Sequence, residues 1–124
     1  NTPIGADTPG PVLPGGAYEF TFDAHAGQYL TFATMFVQSN DWFFAPDAEG
    51  ITLFDTDGNP LIGDITDLVY LWNAGTEVDQ VVGEGSDQAP RQEGPNTGEA
   101  ENGLVTRVDS FSDYEIKVTI SIME

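Results

Sequence analysis

Short runs in which apolar and polar residues alternate constrain the fold of this chain more than any other feature. Aromatic residues occupy every second position of the run 18–23, and Tyr, Ile and Val do the same over 114–122. A period of two is typical of a strand with one buried face, whereas helical periodicity is not sustained anywhere in the chain. The 14 glycines and eight prolines supply turns between such runs. The sequence therefore predicts an all-β fold.

Three further runs complete the predicted sheet. The run 29–37 is apolar on both faces, which predicts a central strand of a sandwich, and strands are also expected over 51–54 and 67–72. Asp57 and Gly58 suit a tight hairpin turn after the second of these. We thus predict an antiparallel β-sandwich of about seven or eight strands, with one long acidic, glycine-rich loop.

The acidic residues around this turn resemble the start of an EF-hand calcium loop only superficially. Asp55, Asp57 and Asn59 have the right spacing, but glycine falls at the fourth loop position instead of the sixth. Thr66 stands at the twelfth position, where a bidentate Glu is needed. The hairpin interpretation is preferred.

The length of 124 residues fits one domain. Residues 1–16 carry four prolines and four glycines and are expected to form an extended lead-in, while residues 17–124 form the sandwich. The first residue is Asn, which is consistent with either a processed export leader or a domain taken from a longer protein. The chain contains no run of 18 apolar residues, so no transmembrane segment is predicted.

The net charge of the chain limits which kinds of partner it can bind. Twenty-one Asp and Glu residues against three Lys and Arg give a formal net charge of -18. Nucleic acid and anionic membranes would be repelled, so they are not expected as partners, and a cation is the natural counterpart. An acidic surface kept for solubility in a salty environment is the alternative interpretation, and the two are compatible.

A long segment without apolar pattern, residues 73–103, interrupts the strand-like runs. It holds six glycines, two prolines and seven acids against a single basic residue, Arg91. Loops of this length without their own secondary structure are usually functional or disordered. A structural or ligand-binding use is the preferred interpretation.

Three oxygen-bearing side chains follow predicted strands. Asp41 comes after the run 29–37, and Asn73 and Glu77 come after the strand that ends at Trp72. Strand ends in one sandwich can meet at one edge, and carboxylate and amide oxygens are the ligands of calcium. Taken singly, Asp41 could instead cap a short turn and Asn73 could be a turn residue.

Three segments in order give the chain a resemblance to the bacterial branch of the spondin N-terminal domain family. They are the run 32–55, which includes "SNDWFF", the run 68–80, "LVYLWNAGTEVDQ", and the run 88–98, "QAPRQEGPNTG". In animal members of that family, aspartates of two such motifs bind calcium. The resemblance implies that Asp41, Asn73 and Glu77 take these positions, with Asn73 replacing one charge by an amide and Glu77 lengthening one arm.

The same resemblance implies a C2-like sandwich, an extracellular, cell-surface or periplasmic location, and a role in recognition or adhesion. The predicted function is that of a secreted calcium-binding domain whose partner is a surface or matrix protein. The alternative is a carbohydrate-binding, lectin-like module whose calcium or loop aromatics contact sugar, with Trp42 as the residue expected to stack on a glycan.

Catalysis is not predicted. The single histidine, His25, lies in a turn-like stretch, and there is neither a cysteine nor a Gly-x-Ser-x-Gly nucleophile motif. Arg91 is expected to pair with loop carboxylates and hold the loop against the sandwich, and a direct ligand contact is the alternative.

Overall fold

Eight short strands and one turn of 3₁₀ helix form the regular structure of the part of the chain that the structure describes. The computed structural model describes residues 1–113 and 115–123. In chain order the strands are β1 Tyr29–Leu30, β2 Thr34–Met35, β3 Trp42–Ala45, β4 Ile51–Thr52, β5 Gly63–Asp64, β6 Tyr70–Asn73, β7 Thr106–Arg107 and β8 Thr119–Ile120, with the 3₁₀ turn at Thr66–Leu68 between β5 and β6. All pairings are antiparallel, so the predicted all-β class is confirmed and the architecture is consistent with a β-sandwich.

The largest sheet has the strand order β2-β3-β6-β7, and β1-β4 and β5-β8 form two smaller sheets. Strands β3 and β6 are the longest and pair over their whole length, with Trp42 opposite Asn73 and Ala45 opposite Tyr70. This register brings the start of β3 and the end of β6 to the same edge of the sheet. The long loop leaves the sheet from that edge.

The core consists of a few buried apolar side chains contributed by several elements. They are Phe36, Ile51, Leu53, Ile65 and Leu71. Phe36 follows β2 and packs against an aromatic group, with ring centroids 5.9 Å from Phe44 and 5.7 Å from Phe111. Rings packed at these distances stabilise the fold beyond the area that they bury.

The run 29–37 is not the continuous central strand that the sequence predicted. Its first part, β1, pairs with β4, and its later part, β2, pairs with β3 in a different sheet. The chain therefore passes from one sheet to another within this run. Tyr29 and Met35 are 59% and 47% exposed, so its apolar residues are not buried on both faces.

The run 18–23 alternates apolar and polar residues but does not form a strand. The prediction of a strand there was wrong. Phe20 is 59% exposed and Phe22 is 44% exposed. Alternation reports only which face is apolar, whereas a strand also requires a neighbouring backbone at hydrogen-bonding distance. The predicted closing strand is likewise reduced to β8, and Tyr114, its first residue, lies outside the described residues.

The remaining predicted strands are shorter than expected. The run 51–54 contributes β4 and a single bridge from Phe54 to Pro60. The predicted turn between Phe54 and Pro60 forms. Gly58 has a φ of 83°, and the Asp55 amide donates to the Asn59 carbonyl over 2.9 Å. The run 67–72 begins as 3₁₀ helix and becomes β6 only at Tyr70.

No strand is assigned within residues 74–103 of the described structure, in agreement with the predicted loop. The loop is nevertheless ordered by its own hydrogen bonds and by one bridge, Glu77 to Ala100. Residues 1–16 also lack a strand. Within the part of the chain that the structure describes, no helix is long and apolar enough to cross a bilayer.

Candidate functional site

The candidate site lies at one end of the large sheet, where β3 begins, β6 ends and the long loop starts. We call this end of the sheet the rim. Asp41 immediately precedes β3, instead of following a strand as the sequence suggested. The Ala74 amide donates to its carbonyl over 3.3 Å. The antiparallel register of β3 and β6 therefore brings together chain segments more than 30 residues apart.

The Asp41 carboxylate anchors the first turn of the loop. Its Oδ2 accepts hydrogen bonds from the Thr76 amide at 2.6 Å, the Thr76 hydroxyl at 2.7 Å and the Glu77 amide at 3.0 Å. Asp41 thus caps a turn, as the alternative interpretation allowed, but the turn is the one at residues 76–77 of the loop. Hydrogen bonds to an ionised acceptor are stronger than neutral ones.

The second carboxylate oxygen of Asp41 has a different environment. Oδ1 is buried and has no hydrogen-bond partner within the described structure. A buried polar atom without a partner costs free energy, which is why most such atoms are paired with protein, water or an ion. Asp41 Oδ1 is therefore the atom of the rim that would gain most from a bound ligand.

Asn73 and Glu77 come to the rim, but their side chains point to different partners. Asn73 Oδ1 accepts from the Gly75 amide at 2.6 Å, so it is also a turn residue, and its Nδ2 donates to Asp79 Oδ2 at 2.9 Å. Glu77 is 8% exposed, and its Oε2 accepts a long 3.5 Å hydrogen bond from Asn40 Nδ2 beneath the loop. The three predicted residues share one region without three side-chain oxygens converging on a point.

Asp79 is the residue of the rim that sequence reasoning missed. Besides its bond from Asn73, its Oδ1 accepts from the Trp42 indole N–H at 2.7 Å. Its position two residues after Glu77 was a usable signal. The abundance of acids in the loop concealed it, because seven acids lie within residues 73–103 and none stands out by its position alone.

The charge environment of Asp79 is unfavourable for its ionised form. Desolvation raises the pKa of Asp79, the hydrogen bond from Trp42 lowers it, and the negative charges of Asp41 and Glu101 raise it again, so that the net shift is upward. Like charges held close together disfavour ionisation. The rim thus collects three carboxylates from three separate segments: Asp41 before β3, Asp79 on the outgoing arm of the loop and Glu101 on the returning arm.

The raised pKa of Asp79 predicts that the stability of the fold depends on pH. Because the folded-state pKa of Asp79 lies above its ordinary value of 3.8, the folded state holds this proton more tightly than the unfolded state. We expect the contribution of Asp79 to stability to be full at pH below 3.8 and to fall as pH rises through the raised folded-state pKa. Urea denaturation of wild type and Asp79→Asn from pH 3.5 to 7 measures it: the wild type should gain stability relative to the variant on acidification. A difference that is independent of pH would contradict the prediction.

Glycine is required where the two arms of the loop meet the rim. Gly75 has a φ of 69° and is buried, and a Cβ added there would lie 2.6 Å from the Leu104 carbonyl oxygen. A Cβ on Gly98 would lie 2.5 Å from Glu77 Oε2. The close approach of backbone to backbone and of backbone to a buried carboxylate shows that the two arms of the loop pack tightly against each other.

The two residues predicted to contact a ligand have structural partners. The Trp42 ring packs against Phe111 at 5.6 Å and Phe36 at 6.5 Å. Arg91 does not pair with a loop carboxylate in the described structure, and that expectation was wrong: its Nε donates to the Gly85 carbonyl at 2.9 Å and its guanidinium to Gln88 Oε1 at 2.7 Å. Arg91 therefore stabilises the loop internally, and a sugar-stacking role for Trp42 stays a prediction.

A hard cation suits the donor set of the rim. Asp41, Asp79 and Asn73 offer only oxygen ligands, and Asp41 Oδ1 has no other partner. Among residues 1–113 and 115–123, no three acidic or histidine side chains have the geometry to hold a metal by themselves. The rim would therefore supply carboxylate oxygens alongside neutral ones.

No protein-family model matches the chain, and no match was found among curated proteins or solved structures.

Proposed function

We propose that this protein is a calcium-binding recognition or adhesion domain of an exported or cell-surface protein, and that the ion binds at the rim. The observation that carries the proposal is the buried Oδ1 of Asp41, an orphaned oxygen of a carboxylate whose charge acts on Asp79. A divalent cation would supply its missing partner and offset the mutual repulsion of the three acids. The resemblance to the spondin N-terminal domain family supports the same assignment.

The protein would use its own residues in distinct ways. Asp41 and Asp79 would hold the ion, with Asn73 as a neutral oxygen donor after its side chain turns from its present bonds. Trp42 would fix the orientation of Asp79 through its indole N–H. Glu77 would act chiefly through its backbone amide, which positions Asp41.

Calcium-dependent stability tests this proposal. After treatment with EDTA, addition of calcium at ten times its dissociation constant should raise the free energy of unfolding by about 1.4 kcal/mol. For a domain of this size that is a rise in Tm of roughly 5 °C. Scanning calorimetry gives the shift, and titration calorimetry gives the dissociation constant independently.

Two matched variants make the result specific. Asp41→Asn should lose most of the calcium-induced shift, whereas Asp57→Asn removes the same charge from an exposed hairpin turn and should retain it. Magnesium at the same ionic strength is the control for screening. The proposal fails if calcium shifts the Tm no more than magnesium does, or if Asp41→Asn responds as the wild type does.

A further inference from the structure

One dipeptide at the end of the long loop combines features that favour a reaction of the backbone. Asn102 precedes Gly103, and this is the single Asn-Gly pair of the chain. Both residues are exposed, and Asn102 has a φ of 57°. The side-chain amide of Asn102 makes no hydrogen bond in the part of the chain that the structure describes. Its carbonyl carbon is therefore not held away from the backbone nitrogen of the next residue.

The reaction available to such a pair is deamidation through a cyclic imide. Base from the solvent removes the proton of the Gly103 amide, and the nitrogen attacks the side-chain carbonyl carbon of Asn102. The new C–N bond displaces the side-chain nitrogen, which leaves as ammonia. Water then opens the ring at one of its two carbonyl carbons, so that residue 102 becomes aspartate or isoaspartate. A following glycine favours the first step, because no Cβ shields the attacking nitrogen.

The folded structure engages the nitrogen that has to attack. The Gly103 amide donates to the Gly75 carbonyl at 2.7 Å, and the neighbouring Glu101 amide donates to the Thr76 carbonyl at 3.1 Å. The contact is tight, since a Cβ added to Gly75 would lie 2.8 Å from the carbonyl carbon of Gly103. The nitrogen cannot lose its proton and turn towards the Asn102 side chain without giving up this hydrogen bond.

We propose that Asn102 is a latent deamidation site, and that the hydrogen bond from the Gly103 amide to the Gly75 carbonyl suppresses its reaction in the folded protein. Isoaspartate would insert one extra carbon into the main chain beside this contact. A Cβ on Gly103 would already lie 3.3 Å from the Gly75 carbonyl oxygen, so there is little room for it. The modification would therefore disturb the contact that prevents it. This inference does not depend on a metal ion at the rim.

A second asparagine of the same loop provides a matched control. Asn96 is exposed and has a φ of 58°, almost the same as that of Asn102. It is followed by Thr97, which is exposed and whose amide makes no hydrogen bond within the described structure. Thr97→Gly therefore supplies a second Asn-Gly pair with the same φ at the asparagine. The two pairs then differ in whether the attacking nitrogen is hydrogen-bonded.

Wild-type protein and Thr97→Gly are incubated in mildly alkaline buffer, both folded and in guanidinium chloride. Trypsin then releases residues 92–107 as one peptide that contains both asparagines. Fragmentation of this peptide in the mass spectrometer assigns deamidation to one asparagine or the other. A synthetic peptide of residues 92–107 gives the rates without tertiary structure, and circular dichroism establishes that Thr97→Gly is folded.

In guanidinium chloride and in the synthetic peptide, we expect Asn102 to deamidate many-fold faster than Asn96 of the wild-type sequence. Folding should slow Asn102 about five- to tenfold, the factor that one hydrogen bond of ordinary net strength supplies. In folded Thr97→Gly, Asn96 should react at close to its rate in guanidinium chloride, while Asn102 of the same molecule stays slow.

Three results would overturn the proposal. Equal Asn102 rates in the folded and the denatured protein would show that the fold gives no protection. Equal slowing of both asparagines in folded Thr97→Gly would show that the hydrogen bond of Gly103 is not the cause of the protection. Deamidation of Asn96 as fast as that of Asn102 in the wild-type peptide would remove the assignment of the site.

Discussion

Asp41→Ala is expected to lower the free energy of unfolding by about 3 kcal/mol, measured by urea denaturation in EDTA. The replacement removes the acceptor of three hydrogen bonds, from the Thr76 amide and hydroxyl and from the Glu77 amide. Glu77 is buried, so its amide would lose its partner in a place that water reaches poorly. The loss includes both the charged bonds and the cost of unpaired donors.

Asp41→Asn separates the acceptor from the charge. An amide oxygen can still accept from the residue 76–77 turn, so the expected loss is about 1 kcal/mol. Both variants are measured without calcium, which removes the contribution of the ion from the comparison. If the alanine variant were no less stable than the asparagine variant, the turn would not depend on this acceptor and the account of the rim would need revision.

Phe36→Ala is expected to cost about 3–5 kcal/mol, the usual loss for deleting a buried ring. Phe36 is 7% exposed and contacts the rings of Trp42, Phe44 and Phe111. Its amide also donates to the Trp42 carbonyl at 2.8 Å. Removal of the ring would leave a cavity beneath β3, the strand that begins at Asp41.

Two replacements define the expected scale. Phe36→Leu keeps most of the volume and should cost about 1.5 kcal/mol. Phe20→Ala deletes the same ring from a side chain that is 59% exposed and should change stability by no more than about 0.5 kcal/mol. A loss at Phe20 comparable to that at Phe36 would show that the alternating run 18–23 is buried after all, as the sequence had suggested.

The β-class could be predicted because it depends on local pattern. Alternating apolar residues, glycine at turns and the Asp57–Gly58 hairpin are properties of neighbouring residues. The hairpin turn forms and the run 114–122 contributes β8, whereas the run 18–23 forms no strand. The lengths of the strands could not be predicted from the sequence, because a strand ends where its hydrogen-bonding neighbour ends. The run 29–37 illustrates this, since its two parts find partners in different sheets.

Part of the candidate site was also accessible from sequence. Asp41, Asn73 and Glu77 flank the strands that the antiparallel register brings to one edge, and the structure does bring these segments together. The sequence could not indicate that the Glu77 carboxylate would face Asn40 beneath the loop, or that Asp79 would face Trp42. The direction of a side chain depends on the path of the loop, which residues far apart in the chain decide.

The amino-acid sequence by itself determined that this protein is acidic, rich in turns and built of antiparallel strands, because charge, turn chemistry and strand periodicity are properties of composition and near neighbours. Only the tertiary structure decided which acids meet. The register of β3 against β6 places Asp41 at the start of the loop, and the closing of the loop brings Glu101 back to the same edge. Contacts between distant segments depend on the closure of the whole fold, and no local pattern in the chain specifies them.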